Sequence, residues 1–189
     1  MILASHNSWS HLPPMKWWMR PFSFVAKCQS KNIREQYEAG VRLFDLRVRF
    51  DERGKPILAH GLMAYESDGL MDDLEFLNNQ KYSIVRVILE TSKADEMQEM
   101  DFDAFCINLV ERFKNIRFIG GNCKCDWEKI FNFGTFEPAI VGEFASVPSD
   151  KWYGKINDLW PWLWAKLHNS KVLEIYVTYG GYVMMDFVE

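Results

Sequence analysis

With 189 residues, 48% hydrophobic and 15% aromatic, the chain can bury a large core, and nothing in its composition suggests disorder. A net charge of -4, with no basic arm and no lysine-rich run, excludes a nucleic-acid binder, so any phosphate recognised must be met by a few local cations. No apolar run approaches the ~20 residues of a membrane span, and the N-terminus lacks the pattern of an export signal. The expectation is one domain over residues 1–189, monomeric, and soluble and cytoplasmic as written.

Residues 1–5 read as a short buried strand running into His6-Asn7-Ser8, which places His6 at a strand's C-terminal end. Residues 9–30 show no clean periodicity and carry Pro13-Pro14, Met15, Trp17, Trp18, Met19, Pro21, Phe22 and Phe24, too long and too apolar a stretch for an ordinary connection. Two readings stay open. The segment is a lid packed on the core, or it is an interfacial lip in which Trp17 and Trp18, flanked by Lys16 and Arg20, touch a membrane. Residues 30–39 predict a helix with Ser30 as N-cap and Gly40 as the glycine that ends it.

In the following stretch Leu43, Asp45, Arg47 and Arg49 fall on one parity, and Phe44, Leu46, Val48 and Phe50 on the other. This is the period of a strand with one apolar and one ionic face. A solvated antiparallel strand would look the same as one whose open end sets Asp45 and Arg47 together to hold a phosphate and tune a histidine. The turn over 51–56 is too short for a helical crossover, so residues 57–60 should lie beside the central strand, with His60 near Asp45 and Arg47.

Residues 68–79 predict an acid-capped helix with Leu70, Leu74 and Leu77 on one side. Residues 82–89 predict a strand covered on both faces, carrying Arg86 and delivering Glu90 to its end. A long helix over 95–113 and a strand over 116–119 follow. After them come a short helix over 126–131, a strand over 138–142 ending in Glu143, a helix after Asp158, and strands over 172–178 and 182–188. Cys28, Cys106, Cys123 and Cys125 read as free thiols, because Cys123-x-Cys125 lacks the spacing of a zinc or thioredoxin site. About eight strands interrupted by helices make an α/β barrel or doubly wound sheet. The link Tyr179-Gly180-Gly181 cannot cross between parallel strands, and the length falls just under the usual ~200-residue minimum, so a distorted or pared-down TIM (β/α) barrel is expected.

Four segments resemble the X-type catalytic domain of phosphatidylinositol-specific phospholipases C. They are Ser5-His6-Asn7-Ser8; Cys28-Gln29-x₃-Ile33-x₂-Gln36-x₂-Ala39-Gly40-Val41-Arg42-x-Phe44-Asp45-Leu46-Arg47-Val48; His60-Gly61; and Asp186-Phe187-Val188. The first three span about a third of the chain in the family's order, whereas residues 120–164 carry no matching motif. The resemblance implies that His6 is the general base taking the proton of an inositol 2-hydroxyl, which attacks phosphorus. His60 would be the general acid that protonates the departing diacylglycerol oxygen, giving inositol 1,2-cyclic phosphate. It further implies that Asp186 orients His6, that Asp45 pairs with Arg47, and that Arg47 replaces the metal ion of calcium-dependent members, as in the metal-independent bacterial type, with no cofactor. Asn7, Asp45 and Glu90 form the alternative, a weak calcium site. Asn7, Glu90, Arg86 and Glu143 are candidate substrate contacts by position.

The partners this implies are a phosphoinositide or other inositol phosphodiester and a membrane surface touched peripherally. The glycerophosphodiester phosphodiesterases share the layout, but usually show Glu-x-Asp where this chain has Asp45-x-Arg47 and His-Asp where it has His60-Gly61. Two other functions stay open: a catalytically silent barrel that binds a phospholipid headgroup or protein partner, and an enzyme of the same mechanism acting on soluble substrates.

Overall fold

The alternation in residues 41–50 builds the strand on which the others assemble. A computed structural model describes residues 2–91, 96–121, 131–133, 160–176 and 182–189. The chain runs through β1 (Ile2–Ser5), a 3₁₀ helix (Trp17–Val25), α1 (Ile33–Glu38), β2 (Val41–Phe50), β3 (Pro56–His60), β4 (Met63–Tyr65) and α2 (Leu70–Asn78). It continues through β5 (Ser83–Leu89), α3 (Glu96–Arg112), β6 (Ile116–Gly121), β7 (Phe131–Asn132), α4 (Pro161–Tyr176) and β8 (Tyr182–Met185).

Strands β8, β1, β2, β5 and β6 are parallel neighbours in that order, while β3, β4 and β7 extend the sheet antiparallel. One edge of β2 pairs with β5 from Leu43 to Val48. Its other edge is divided: β1 pairs with Val41, Leu43 and Phe44, and β3 with Val48, Arg49 and Phe50. In the interval between them Ser8 stands in for a strand. Its N–H donates to the Asp45 carbonyl at 2.9 Å, and its Oγ accepts from the Asp45 N–H at 2.8 Å. The chain leaving β1 therefore crosses directly over Asp45, as a barrel opening at its strand ends requires.

Side-chain parity sorts the interior into two parts. Phe44, Leu46 and Val48 of β2 and Val85, Val87 and Leu89 of β5 share one buried cluster with Leu74 and Leu77 of α2 and Phe102 and Leu109 of α3. On the opposite face a separate plug takes one residue from each parallel strand: Ala4, Leu43, Ile84, Ile119 and Met184. Two residues further along β2 and β5, Asp45 and Arg86 are register partners, so an ionic layer sits on an apolar floor. The architecture is α/β, a mixed sheet forming a pared-down TIM-like barrel.

Several local expectations are corrected. Asn32, not Ser30, caps α1: its Oδ1 accepts from the Glu35 N–H at 3.0 Å, and the Glu35 carboxylate accepts from the Asn32 N–H at 2.8 Å. Replacing Asn32 by alanine is therefore expected to lower the urea unfolding free energy by ~1 kcal/mol, with Ser30→Ala leaving the midpoint unchanged. The aperiodic segment contains a 3₁₀ helix without a buried residue. The three-residue strand β4 was not foreseen, because a hairpin this short leaves no alternation to detect. Phe131 lies in β7 rather than in a helix, and residues 172–176 continue α4 instead of forming a strand. An apolar run that short suits either state, and α4 is already propagating when it arrives. The last strand ends at Met185, which leaves Asp186 just beyond it. The expected strand over 138–142, with Glu143, lies outside the described residues. Among the described residues no helix is long and apolar enough to cross a membrane.

Candidate active site

The ends of β1 and β8 are locked together before any catalytic atom is placed. The His6 N–H donates to the Met185 carbonyl at 3.0 Å, and Gln29 Nε2 donates to both the His6 and the Met185 carbonyls, at 3.1 and 2.9 Å. Gln29 Oε1 accepts from the Val188 N–H at 3.1 Å, and the Phe187 N–H donates to the Cys28 carbonyl at 2.6 Å. This frame sets Asp186 against His6, whose Nδ1 donates to Asp186 Oδ1 at 2.6 Å. The bond fixes the tautomer and turns Nε2 inward, 4.0 Å from Asp45 Oδ2. Asn7, with φ of 43°, takes the left-handed turn that ends β1 and brings its N–H to Asp45 Oδ2 at 3.0 Å.

Beneath the histidines lies the buried ionic layer. Arg47 Nε donates to Asp45 Oδ2 at 2.7 Å, Arg86 Nη1 to Asp45 Oδ1 at 2.9 Å, and Arg47 Nη1 to Glu90 Oε2 at 3.1 Å. Burial alone would raise the pKa of Asp45. The cations of Arg47 and then Arg86, with His6 and the Asn7 N–H, more than reverse this and hold the carboxyl well below the usual carboxylate range. Glu90 Oε1 accepts from the Gly61 N–H at 2.9 Å, so the same carboxylate steadies both Arg47 and the loop after His60. Arg86, expected among the substrate contacts, is fully enclosed and spends Nη1 on Asp45. Of the set Asn7, Asp45 and Glu90, the Asn7 N–H donates to Asp45, and both carboxylates accept from Arg47, a cation between the oxygens that a calcium ion would use.

His60, at the end of β3, meets His6 edge to face, with ring centroids 5.2 Å apart and planes at 89°. Its Nδ1 donates to the Ala26 carbonyl at 3.0 Å, a carbonyl that also accepts the Tyr65 hydroxyl at 2.9 Å. Burial first, then the Arg47 cation and His6, hold the pKa of His60 down to about 4. The unfolded chain, with an ordinary histidine near 6.5, binds protons more readily across that interval. His60 therefore contributes stability that is complete above about pH 6.5 and is lost as pH falls toward 4. Urea midpoints at pH 7 and 4.5 are expected to fall more steeply for the native chain than for His60→Gln. Equal slopes would refute the assignment.

Above the rings opens a cavity of about 430 Å³ walled by His6, His60 and Asp186 on the polar side and by Met19, Phe22, Val25 and Leu62 on the apolar side. Trp17 and Trp18 stand outside it on the 3₁₀ helix, 73% and 52% exposed, and Leu62 is 92% exposed. The residue that sequence reasoning passed over is Cys28, a buried thiol whose Sγ lies 3.7 Å from His60 Nδ1. Its place in the motif next to Gln29 was the available signal.

No protein-family model matches the chain, and no curated protein sequence matches it. Solved structures do. The phosphatidylinositol-specific phospholipase C of Listeria monocytogenes matches with a TM-score of 0.67 and 16% identity, over 100% of this chain and 88% of that one. The fold is that of this enzyme. A pentafluoro-phenylalanine form of the Staphylococcus aureus enzyme matches with a TM-score of 0.65 and 16% identity, over 98% of this chain and 85% of that one. Another structure of the staphylococcal enzyme, concerned with modulation of its membrane binding, matches with a TM-score of 0.65 and 15% identity over the same shares. At such identities the likeness is one of fold, and the chemistry rests on the side chains.

Proposed function

We propose that this protein is a phosphodiesterase of the phosphatidylinositol-specific phospholipase C type, cleaving an inositol phosphodiester through a 1,2-cyclic phosphate without a metal ion. The observation that carries the reading is the pair of unlike histidines. His6 is oriented by a carboxylate, His60 by a backbone carbonyl, and the two rings lie 5.2 Å apart at one cavity.

His6 Nε2 takes the proton of the substrate's 2-hydroxyl, and the freed oxygen bonds to phosphorus. The bond from phosphorus to the glycerol oxygen breaks, and His60 delivers a proton to that oxygen. Asp186 stabilises the imidazolium formed on His6, as a carboxylate does in hydrolase triads. His60 is neutral in the free protein at pH 7, and the phosphodiester anion favours its charged form on arrival. Arg47, held by Asp45 and Glu90, places a fixed cation beside the histidines for the charge that develops on the phosphoryl oxygens. That role for Arg47, together with carboxylates already committed to it, supports chemistry without calcium.

Exposed Phe22 and Leu62 at the cavity, with exposed Trp17, Trp18 and Phe24 on the same 3₁₀ helix as Phe22, support a substrate drawn from a lipid surface. Lys16 Nζ sits 5.6 Å from the Trp18 ring centre, adding a cation at the level of the headgroups. The double variant Trp17→Ala/Trp18→Ala is expected to bind phosphatidylinositol vesicles ~10-fold more weakly in a sedimentation assay, about 1.4 kcal/mol. Unchanged binding would remove the lip and favour a soluble phosphodiester.

The deciding experiment follows phosphatidylinositol vesicles by phosphorus NMR, first with chelator and then with calcium. Cyclic phosphate released in chelator is the expected result. Release only with calcium would overturn the role given to Arg47, and no release in either would favour a silent, headgroup-binding barrel.

A further inference from the structure

The phosphodiester chemistry uses two histidines of this cavity and leaves its thiol idle. Cys28 is 1% exposed, and its Sγ points at the same rings that move protons in the proposed reaction. One nitrogen of His6, Sγ of Cys28 and one nitrogen of His60 all lie within 4.8 Å of one another. For a tetrahedral zinc ion with Zn–S near 2.3 Å and Zn–N near 2.05 Å, sulfur and nitrogen stand ~3.6 Å apart. The 3.7 Å between Cys28 Sγ and His60 Nδ1 is already that edge.

We propose that His6, Cys28 and His60 form a binding site for a soft divalent cation of the zinc type. The donor set is two imidazoles and a thiolate, which selects zinc-like ions over calcium or magnesium. The surroundings suit it. Because Asp186 holds Nδ1 of His6, the ring would ligate through Nε2, and a carboxylate behind a metal-bound histidine is the usual outer support. His60 would exchange its Nδ1 bond to the Ala26 carbonyl for the ion, and that carbonyl keeps the Tyr65 hydroxyl. The proton balance is simple: Cys28 releases its proton to solvent, while the His60 proton moves from Nδ1 to Nε2. The Asp45 and Asp186 carboxylates lie 4.0 and 2.6 Å from nitrogens of His6 and offset part of the ion's charge, and Arg47 is already paired with Asp45 and Glu90. Three protein ligands leave a fourth position for water, reached through the cavity.

An ion held there occupies both proton-transfer groups, so zinc would inhibit any reaction that needs them. This last consequence rests on the proposed function, whereas the binding itself does not. Cobalt(II) titrated into the purified full chain is expected to bind with a thiolate-to-cobalt charge-transfer band in the near ultraviolet, displaced by zinc. Cys28→Ser is expected to lose the band and to weaken zinc binding by calorimetry by more than the ~10- to 100-fold that an outer-shell partner costs. His60→Gln is expected to keep the band with weaker affinity, and Cys123→Ser/Cys125→Ser to keep both. No band in the native chain, or a band that survives Cys28→Ser, would overturn the site. Because the readout is binding, a chain that shows the band but cleaves no phosphodiester would retain the metal site and lose only the enzyme reading, and the reverse result would do the opposite.

Discussion

Alanine at His6 is expected to lower cyclic phosphate release ~10²- to 10⁴-fold, the range a positioned acid or base supplies, and alanine at His60 to do the same with a diacylglycerol leaving group. The two substitutions part company when the leaving group changes. A substrate whose departing oxygen is a phenol of low pKa leaves without help from an acid, so His60→Ala should recover most of its rate on it. His6→Ala should not recover, because the 2-hydroxyl still needs a base. The two rings are held differently: His6 Nδ1 is held at 2.6 Å by Asp186, which fixes the tautomer that presents Nε2 toward Asp45. His60 is held neutral near pH 7, its pKa lowered to about 4 first by burial and then by the Arg47 cation. Full rates for both variants on a short-chain phosphatidylinositol would remove the mechanism, and equal recovery of both on the activated substrate would remove the division of labour.

How far the sequence reveals this site depends on the span over which each contact acts. Asp45 and Arg47 are two apart on one strand, so their pairing follows from the alternation alone, and the short turn after Phe50 brings His60 back to them. Arg86 bonds to the other oxygen of the same carboxylate, but that requires the β2–β5 register, which no local period encodes. The His6–Asp186 bond spans nearly the whole chain and was legible only through the family resemblance. The carbonyl of Ala26 and the thiol of Cys28 reach His60 because the 3₁₀ segment folds back over β3, a path set by packing rather than by periodicity. Where two local signals competed, the nearer hydrogen bond won: Asn32 displaced Ser30 as the cap because Glu35 stands three residues after it and completes the capping box.

Asp45→Leu is expected to cost ~3–5 kcal/mol of stability, because it strips the shared carboxylate from two buried guanidinium groups. Asp45 accepts from Arg47 on one oxygen and from Arg86 on the other, and both arginines lie in the barrel interior. Arg86 is fully enclosed and Arg47 is only 4% exposed, so the loss is one of charge balance more than of one hydrogen bond. Removing Arg86 as well should relieve part of it: in Asp45→Leu/Arg86→Met the Asp45–Arg86 pair is replaced by apolar side chains continuous with the floor of Leu43, Ile84 and Ile119, and Arg47 keeps Glu90. The double-mutant cycle, read from urea midpoints, should therefore show a coupling of at least ~1 kcal/mol, and strictly additive costs would mean that the two side chains do not act on one another. Activity should not return with stability. Arg47 loses the carboxylate at 2.7 Å that sets its orientation while keeping its bond to Glu90, so a folded double variant should still fail to stabilise the phosphoryl charge. A well-folded but inactive double variant would thus separate the two duties of Asp45, balancing the buried cations and aiming one of them at the substrate.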